Sequence, residues 1–345
     1  MGYAKEKAEQ KRKVKRIKRI VFGVVAVLLV TFCILTAFVS PDNWKYYFRL
    51  PDIEKRIEGE LRVHFISVGQ GDATLIELPD GKTALIDTGN GTAESDKALL
   101  RYLNALDIDR IDYLILTHLD NDHIGGVDEL LDNKKIIKAF LPVNLVDSSD
   151  NTTYDILEGK LMRERCEYFV ARPPSQMNTQ TDMSSVAEYP YTFAFVYPTQ
   201  TVADKTDTFY PETTNETSVC VWLDYKGVSF LFTGDAPADI ERKIILHDQL
   251  NGYQKNGVDL SSTEILKVAH HGAEGSTSTD LLEYFQNLQT AVISCGEDNI
   301  YKHPLPSVVE RLNDFGAKVY RTDESGSVVI TAKANGTYEV ETLGK

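Results

Sequence analysis

Thr117-His118-Leu119-Asp120-Asn121-Asp122-His123-Ile124-Gly125 packs two imidazoles and two carboxylates into six positions. It follows directly on Tyr113-Leu114-Ile115-Leu116, an apolar run that reads as a buried strand. A short loop at the end of such a strand can turn all four side chains toward one point. Imidazole nitrogen and carboxylate oxygen together suit zinc, manganese or iron. His118, Asp120, Asp122 and His123 are therefore candidate metal ligands. The competing reading is a polar helix start, with Asp122 as cap and His123 in solvent. Any single Asp or His fits that alternative. Four ligand-type residues in six positions fit it poorly, and more of them recur downstream at strand ends.

Outward from this cluster the pattern is α/β. Arg62–Val68 reads as a first strand and Gly69-Gln70-Gly71-Asp72 as a tight glycine turn. Ala73–Leu78 and Thr83–Asp87 flank Pro79-Asp80-Gly81, a hairpin signal. Ser95 is placed to cap a helix with Leu99, Leu100, Leu103 and Leu106 on one face. The plan of Ala73-Thr74-Leu75-Ile76-Glu77-Leu78 followed by Leu85-Ile86-Asp87-Thr88-Gly89 returns in Ser218-Val219-Cys220-Val221-Trp222-Leu223 followed by Leu231-Phe232-Thr233-Gly234-Asp235. Such an echo fits two similar β-rich halves facing each other. Residues 144–214 between them are polar, with apolar pieces at Tyr168–Val170 and Tyr191–Val196, and read as an insertion near the site mouth. Beyond Asp235 the pattern predicts helix Pro237–Leu250, strand Ile265–Ala269, helix Thr279–Leu288, strand Ala291–Ser294 and helix Ser307–Phe315, with Gly316 as left-handed cap. Strands near Lys318–Arg321 and Ser327–Thr331 follow.

The downstream strand ends carry further ligand chemistry. Asp235 emerges after Thr233-Gly234, where its two oxygens can each hold one ion; the alternative is a cap for the helix opened by Pro237. His270-His271-Gly272 ends the run Ile265–Ala269, so at least one of these imidazoles is expected to reach a metal. His303 is a candidate general acid or phosphate-oxygen donor, with Tyr301 as alternate and a surface role as the competing reading. His64 reads as a strand residue in polar surroundings and His247 as a helix-surface residue.

Six segments then stand in one order. They are Val63-His64-Phe65-Ile66-Ser67-Val68-Gly69-Gln70-Gly71-Asp72-Ala73, Leu85-Ile86-Asp87-Thr88-Gly89, His118-x-Asp120-x-Asp122-His123-Ile124-Gly125-Gly126, Phe232-Thr233-Gly234-Asp235, Ala269-His270-His271-Gly272 and Asn299-x-Tyr301-x-His303-Pro304. Together they resemble the metallo-β-lactamase superfamily, and more closely the soluble domain of the ComEC/Rec2 DNA-uptake proteins and their stand-alone relatives. The resemblance covers about residues 60–332. It implies a four-layer αββα sandwich with the site at one edge. It also implies that His118, Asp120, Asp122, His123, Asp235 and one of His270 and His271 bind one or two divalent ions, zinc or manganese. The wider superfamily usually has His where Asp120 stands, and supplies a further His before the strand leading to Asp235. Here that region reads Thr213-Thr214-Asn215-Glu216-Thr217-Ser218, which leaves Asn215 or water to complete the first site. Close relatives commonly carry Asp at the position of Ser67. The multi-helix channel of the uptake proteins has no counterpart here.

The N-terminus is a separate object. Nine basic residues against Glu6 and Glu9 give the tail through Arg19 a charge of +7; the whole chain carries −14, so residues 20–345 carry −21. An uncharged run, Ile20–Val39, follows and is about one bilayer core long as a helix, roughly 30 Å. Basic residues before a span keep that end in the cytoplasm. The expected organisation is a cytoplasmic tail 1–19, a single-pass transmembrane anchor 20–39, a juxtamembrane spacer 40–59 and an extracellular hydrolase domain 60–340. A cleaved signal peptide is the rival, but the run is long and lacks a small-x-small site. The four cysteines, Cys33, Cys166, Cys220 and Cys295, form no C-x-x-C pair, so neither a zinc ribbon nor a disulfide framework is indicated. So acidic a body has no global attraction for nucleic acid.

The expected function is metal-dependent hydrolysis of a phosphodiester outside the cell. Asp122, His271 and His303 are expected to share the catalytic work, with His270, His271 or His303 protonating the leaving oxygen. Candidate substrates are extracellular DNA, a phosphodiester-linked wall polymer and a phosphorylcholine group; no protein partner is evident. Two alternatives stand beside it: a β-lactam or other amide/ester hydrolase, and a non-catalytic membrane-tethered binding module.

Overall fold

Most strands of this chain are near-continuous apolar runs, and they are buried on both faces. The computed structural model describes all residues except 1, 39–40, 49, 145–150, 174–189, 208–209, 251–252, 254–256 and 345, and all of their side chains except those of 2–9, 34–38, 41–42 and 151. It divides into residues 1–49 and residues 50–345. In the first part, helix α1 (Gly2–Phe38) is followed by a 3-10 turn, Pro41–Tyr46, and Phe32 meets Trp44 edge to face at 5.3 Å. The expected membrane span, 20–39, runs into residues that lie wholly or in their side chains outside the described set. Among the described residues no helix is long and apolar enough to cross a membrane.

The second part contains β1 (Leu61–Phe65), β2 (Thr74–Glu77), β3 (Thr83–Ile86), β4 (Arg110–Ile115), β5 (Lys135–Leu141), β6 (Glu167–Val170), β7 (Thr192–Tyr197), β8 (Cys220–Tyr225), β9 (Val228–Phe232), β10 (Ile265–Lys267), β11 (Thr290–Ile293), β12 (Lys318–Arg321), β13 (Val328–Ala332) and β14 (Tyr338–Thr342). The helices are α2 (Ala93–Ala105), α3 (Asn121–Ile124), α4 (Val127–Asn133), α5 (Asn151–Arg163), α6 (Gln200–Ala203), α7 (Ala238–Gln249), α8 (Thr279–Tyr284), α9 (Pro306–Asp314) and α10 (Thr322–Ser325). One sheet runs β14-β13-β1-β2-β3-β4-β5-β6, the other β12-β11-β10-β9-β8-β7. Within β1 to β6 the successive pairings are antiparallel twice, then parallel three times. Within β7 to β12 the same order recurs. The sequence echo is therefore a repeated topology, with β13 and β14 added beside β1.

The inner faces close one core. Val63, Phe65, Ile76, Ile86 and Ile115 of the first sheet meet Phe195, Val221, Phe230 and Phe232 of the second. The outer face of the second sheet, including Trp222, Leu231, Leu266 and Ile293, packs against Ile240 and Ile244 of α7, Leu281 of α8 and Val308 of α9. On the first sheet the outward His64 accepts or donates a 3.0 Å hydrogen bond with Tyr102 Oη of α2, while its other nitrogen lies 2.9 Å from Glu77. The buried stripe of α2 is Leu99, Leu100 and Leu103, each worth roughly 1.5–3 kcal/mol when removed from water. The result is the expected layering of helices outside two mixed sheets.

Several boundaries differ from expectation. The α2 cap is Thr92, whose side chain accepts from Ser95 N; Ser95 instead accepts from Asn90 N at 3.2 Å. β1 stops at Phe65 because Ser67 N turns away to the Ser327 hydroxyl, 3.0 Å. Residues 144–214 do not form a single insertion. Their apolar pieces are β6 and β7, edge strands of the two sheets, and Phe169, Phe193 and Phe195 pack into or against the shared core. Burial of these rings outweighs the polar composition around them. Residues 145–150, 174–189 and 208–209 of that stretch lie outside the described residues. Cys220 is a buried core residue, its thiol pushed up by burial.

Candidate metal centre

The centre is built at the C-terminal ends of the parallel strands, where side chains leave the sheets without strand neighbours ahead of them. β4 delivers Thr117 and His118, and α3 then carries Asp122 and His123. β9 delivers Gly234 and Asp235, and β10 leads into the turn Ala269–Gly272. His270 and His271 both sit at positive φ, +50° and +52°, where a residue with a Cβ is strained by roughly 1–2 kcal/mol. Such a backbone aims two adjacent rings at the same edge. The turn before β2 lies directly on the ligand loop: Asp72 N donates to Asp122 O at 3.0 Å, and a Cβ on Gly71 would sit 2.5 Å from that oxygen. Glycine is required there by contact.

One hydrogen-bond network fixes which nitrogen of each ring faces inward. The Thr117 hydroxyl donates its only hydrogen to Asp87 Oδ2 at 2.7 Å. It can then only accept from His118 Nδ1, 3.0 Å away. His123 Nδ1 donates to Asp87 Oδ2 at 2.7 Å, and His271 Nδ1 donates to the Ser294 carbonyl at 2.7 Å. In its neutral form each of the three rings therefore carries its proton on Nδ1, which leaves the Nε2 lone pair for a ligand. A carboxylate or carbonyl behind a ligating imidazole orients the ring and raises its basicity.

Those lone pairs converge. His123 Nε2 is 3.3 Å from Asp235 Oδ1, and His118 Nε2 is 3.9 Å from Asp235 Oδ2. His271 Nε2 is 3.2 Å from Asp122 Oδ2 and 3.7 Å from Asp235 Oδ2. His270 Nε2 is also 3.7 Å from Asp235 Oδ2, and His118 Nε2 is 3.6 Å from Asp120 Oδ2. The Nε2 atoms of His118, His123 and His271 and Oδ1 of Asp235 are sealed from solvent and, among the described residues, have no hydrogen-bond partner. Leaving four such atoms unsatisfied in one place is costly unless a cation takes them. The donor set fits a divalent ion.

Protonation follows the same geometry. Burial opposes charge on His123, but the Asp235 and Asp87 carboxylates outweigh it and hold the ring well above the usual imidazole range. Asp235 resists ionisation through burial yet lies well below the usual carboxylate range because His123 and His271 face it. Asp122 is likewise opposed by burial and brought to about 2 by the His271 ring beside it. His270, 35% exposed, is instead lowered by burial and by its imidazole neighbours.

Of the seven expected ligands, His118, His123, His270 and His271 surround Asp235, while Asp122 joins them through His271 and Asp120 through His118. His271 belongs to the buried inner side and His270 to the open outer side. Asn215 Nδ2 lies 3.4 Å from His270 Nδ1, and its Oδ1 is buried and, among the described residues, without a partner, which puts it at the outer side too. The His303 ring is 5.6 Å from that of His270, at the rim, and Tyr301 stacks on it at 5.9 Å. Asn299 holds the His303 backbone at both its N–H and its carbonyl. Asp72 and Asp87 stand within the sequence motifs, where nothing in the pattern gives either a role. Thr117, Ser294 and Lys267 are not foreseen from sequence; the break of an apolar run by Lys267 is the one available signal.

A family model, Metallo-beta-lactamase superfamily, matches residues 66–296, about two-thirds of the chain. The chain belongs to the metallo-β-lactamase superfamily. Among curated superfamily relatives it is 28% identical over 299 residues to ComE operon protein 3 of Bacillus subtilis, covering 82% of this chain and 34% of that one. It is 30% identical over 275 residues to Recombination protein 2 of Haemophilus influenzae, covering 77% and 28%. The chain thus spans about a third of the length of these relatives. The crystal structure of the metallo-beta-lactamase fold protein YhfI from Bacillus subtilis aligns with 13% identity and a TM-score of 0.46, over 82% of this chain and 99% of that one. Within the superfamily, the buried His/Asp centre described above marks this chain as a metal-dependent hydrolase related to the ComEC-type competence proteins.

Proposed function

We propose that this chain is a membrane-anchored phosphodiesterase that works outside the cytoplasm with zinc or manganese. The observation that carries the reading is the convergence of three inward-facing Nε2 atoms and Asp235 Oδ1, all buried and, among the described residues, unpartnered, beside the half-buried rings of His270 and His303. Divalent ions held there would supply an acidified water near neutral pH and charge compensation for the oxygens of the scissile group. Five carboxylates, Asp72, Asp87, Asp120, Asp122 and Asp235, stand in or behind the centre against one lysine, Lys267. Their net charge of −4 is what two divalent ions neutralise, which supports a two-ion centre.

Each residue has a part in this scheme. Asp235 turns Oδ1 to His123 and Oδ2 to His118, His270 and His271, and Asp122 stays ionised and ready to coordinate. Asp87, Thr117 and the Ser294 carbonyl keep the rings turned inward. His271 has its proton committed to Ser294, so it serves as a ligand and not as the proton donor expected from sequence. His303, lowered by burial and by His270, is neutral near pH 7 and suits the phosphate-oxygen donor role better than that of a proton store. His270 and His303 offer ring N–H groups at the rim, a donor set matched to anionic non-bridging oxygens.

Two further observations support the substrate class and location. One relative is named for recombination, a process acting on a phosphodiester polymer. The basic tail and the uncharged run 20–39 support an anchor with the domain outside. The charge of −21 on residues 20–345 favours a small or zwitterionic head group, such as phosphorylcholine on a wall polymer, over long DNA. The test uses the full chain in detergent, stripped by chelation and reloaded with Mn²⁺ or Zn²⁺. Bis-p-nitrophenyl phosphate should turn over only after reloading. Turnover of a β-lactam alone would shift the reading to amide hydrolysis, and no turnover with no retained metal would leave a binding module.

A further inference from the structure

The positions of β10 alternate between the two sides of its sheet: Ile265 faces the shared core and Leu266 the helices. Lys267 therefore faces the core side, and it is only 3% exposed. Its topological counterpart in the first half is apolar, because Phe232 pairs with Lys267 just as Ile86 pairs with Ile115. A lysine at such a position is retained only with specific partners. Its ammonium contacts the Asp72 carboxylate, donates to the Gly234 carbonyl at 3.1 Å and lies 4.0 Å from Asp235 Oδ1.

Asp72 itself is 2% exposed and has the company of a metal ligand. One donor atom from each of Asp72, His123, Asp235 and His271 falls within 4.8 Å of all the others. Yet Asp72 meets the rings at their Nδ1 edges, 3.7 Å from His123 and 3.9 Å from His271. Both of those nitrogens carry protons already given to Asp87 and to the Ser294 carbonyl. They have no lone pair to share with an ion beside Asp72, which would instead draw on the oxygens that now face Lys267, those of Asp72, Asp235 Oδ1 and the Gly234 carbonyl.

We propose that Lys267 is a resident cation of the centre: its ammonium fills the place where Asp72 would otherwise recruit a divalent ion, and so confines bound metal to the Nε2 face. This rests on the metal centre proposed above. The consequence is that Asp72 is a partner of the lysine and not a ligand, although its surroundings look like a cation site.

Metal content decides the matter. The full chain, Lys267→Ala, Asp72→Asn and the double variant are loaded with Mn²⁺, desalted exhaustively and analysed for manganese per chain. Lys267→Ala is expected to hold one more equivalent than the unaltered chain, and the double variant to return to the unaltered number. Asp72→Asn is expected to keep the unaltered number; loss of an equivalent there would make Asp72 a ligand and overturn the proposal. Metal-free, Lys267→Ala should melt below the double variant, because it alone leaves a carboxylate buried and unpaired. Unchanged manganese in Lys267→Ala, with melting no lower than the double variant, overturns the proposal as well. Should Lys267→Ala not fold, a folded double variant with the unaltered count supports it and an equally unfolded one overturns it. An unaltered chain that takes up no metal defeats the centre itself, a separate outcome.

Discussion

The two halves of the domain share one topology and divide the chemistry unequally. In β1 to β6 and in β7 to β12 the pairings follow the same antiparallel and parallel order. Ile86 and Phe232 end the equivalent strands β3 and β9. The next residue is Asp87 in one half and Thr233 in the other, and each ties to the neighbouring parallel strand: Asp87 accepts from Thr117 N at 2.8 Å, and Thr233 donates to Lys267 O at 2.7 Å. Two residues further on the halves stand reversed, with Gly89 in the first and Asp235 in the second. The first half thus spends its carboxylate behind the rings and the second places its own among them. One backbone plan becomes a support or a ligand according to which residue occupies each step past the strand.

Making the halves alike should break the centre. Asp235→Gly, which copies the first half, should abolish metal retention and hydrolysis. The loss should exceed the ~10–100-fold that an orienting partner is worth. Ile115→Lys copies the second half without its Asp72, and the oxygens of Asp87 are already taken by Thr117 and His123. Burying that ammonium should destabilise the domain by about 3 kcal/mol or more, read by chemical denaturation. Asp87→Thr should cost roughly 10–100-fold in metal affinity by chelator competition, while leaving some activity at saturating metal.

The smallest effect separates the inner and outer sides of the centre. In the metal-free protein His123 and His271 sit above the usual imidazole value, because Asp235 and their other carboxylate neighbours outweigh burial. His270 sits below it, chiefly through burial. Near neutral pH the inner rings hold protons that an incoming ion must expel, so inner-side affinity should rise with pH until those raised values are passed. The outer side should be nearly flat over the same range. Calorimetry in buffers of different ionisation enthalpy should find proton release for the inner equivalent and little for the outer. Equal release for both would erase the distinction between the sides.

Much of this was legible in the sequence because strand ends announce themselves: an apolar run stops and polar ligand-type residues begin. His118 to His123, Asp235 and the paired histidines are all of that kind. The repeated topology showed in the echo of residues 73–89 at 218–235. The orienting network was not legible, since a backbone carbonyl such as Ser294 O leaves no trace in residue identity, and Asp87 looks the same whether it faces a metal or stands behind a ring. β6 and β7 were hidden because their apolar runs are short and set in polar surroundings. β5 and β14 lie in stretches for which the pattern predicted nothing; β14 alternates, with Tyr338 and Val340 against the core, but over only five residues, three of them exposed.

The central claim is that imidazole Nε2 and carboxylate oxygens of this centre bind a divalent ion directly. X-ray absorption at the zinc edge on the reloaded full chain tests it without any assumption about substrate. The account predicts nitrogen and oxygen neighbours at ~2.0–2.2 Å with the multiple-scattering pattern of imidazole, and loss of that pattern in His123→Ala. An oxygen-only shell, or a spectrum unchanged by that substitution, would contradict it.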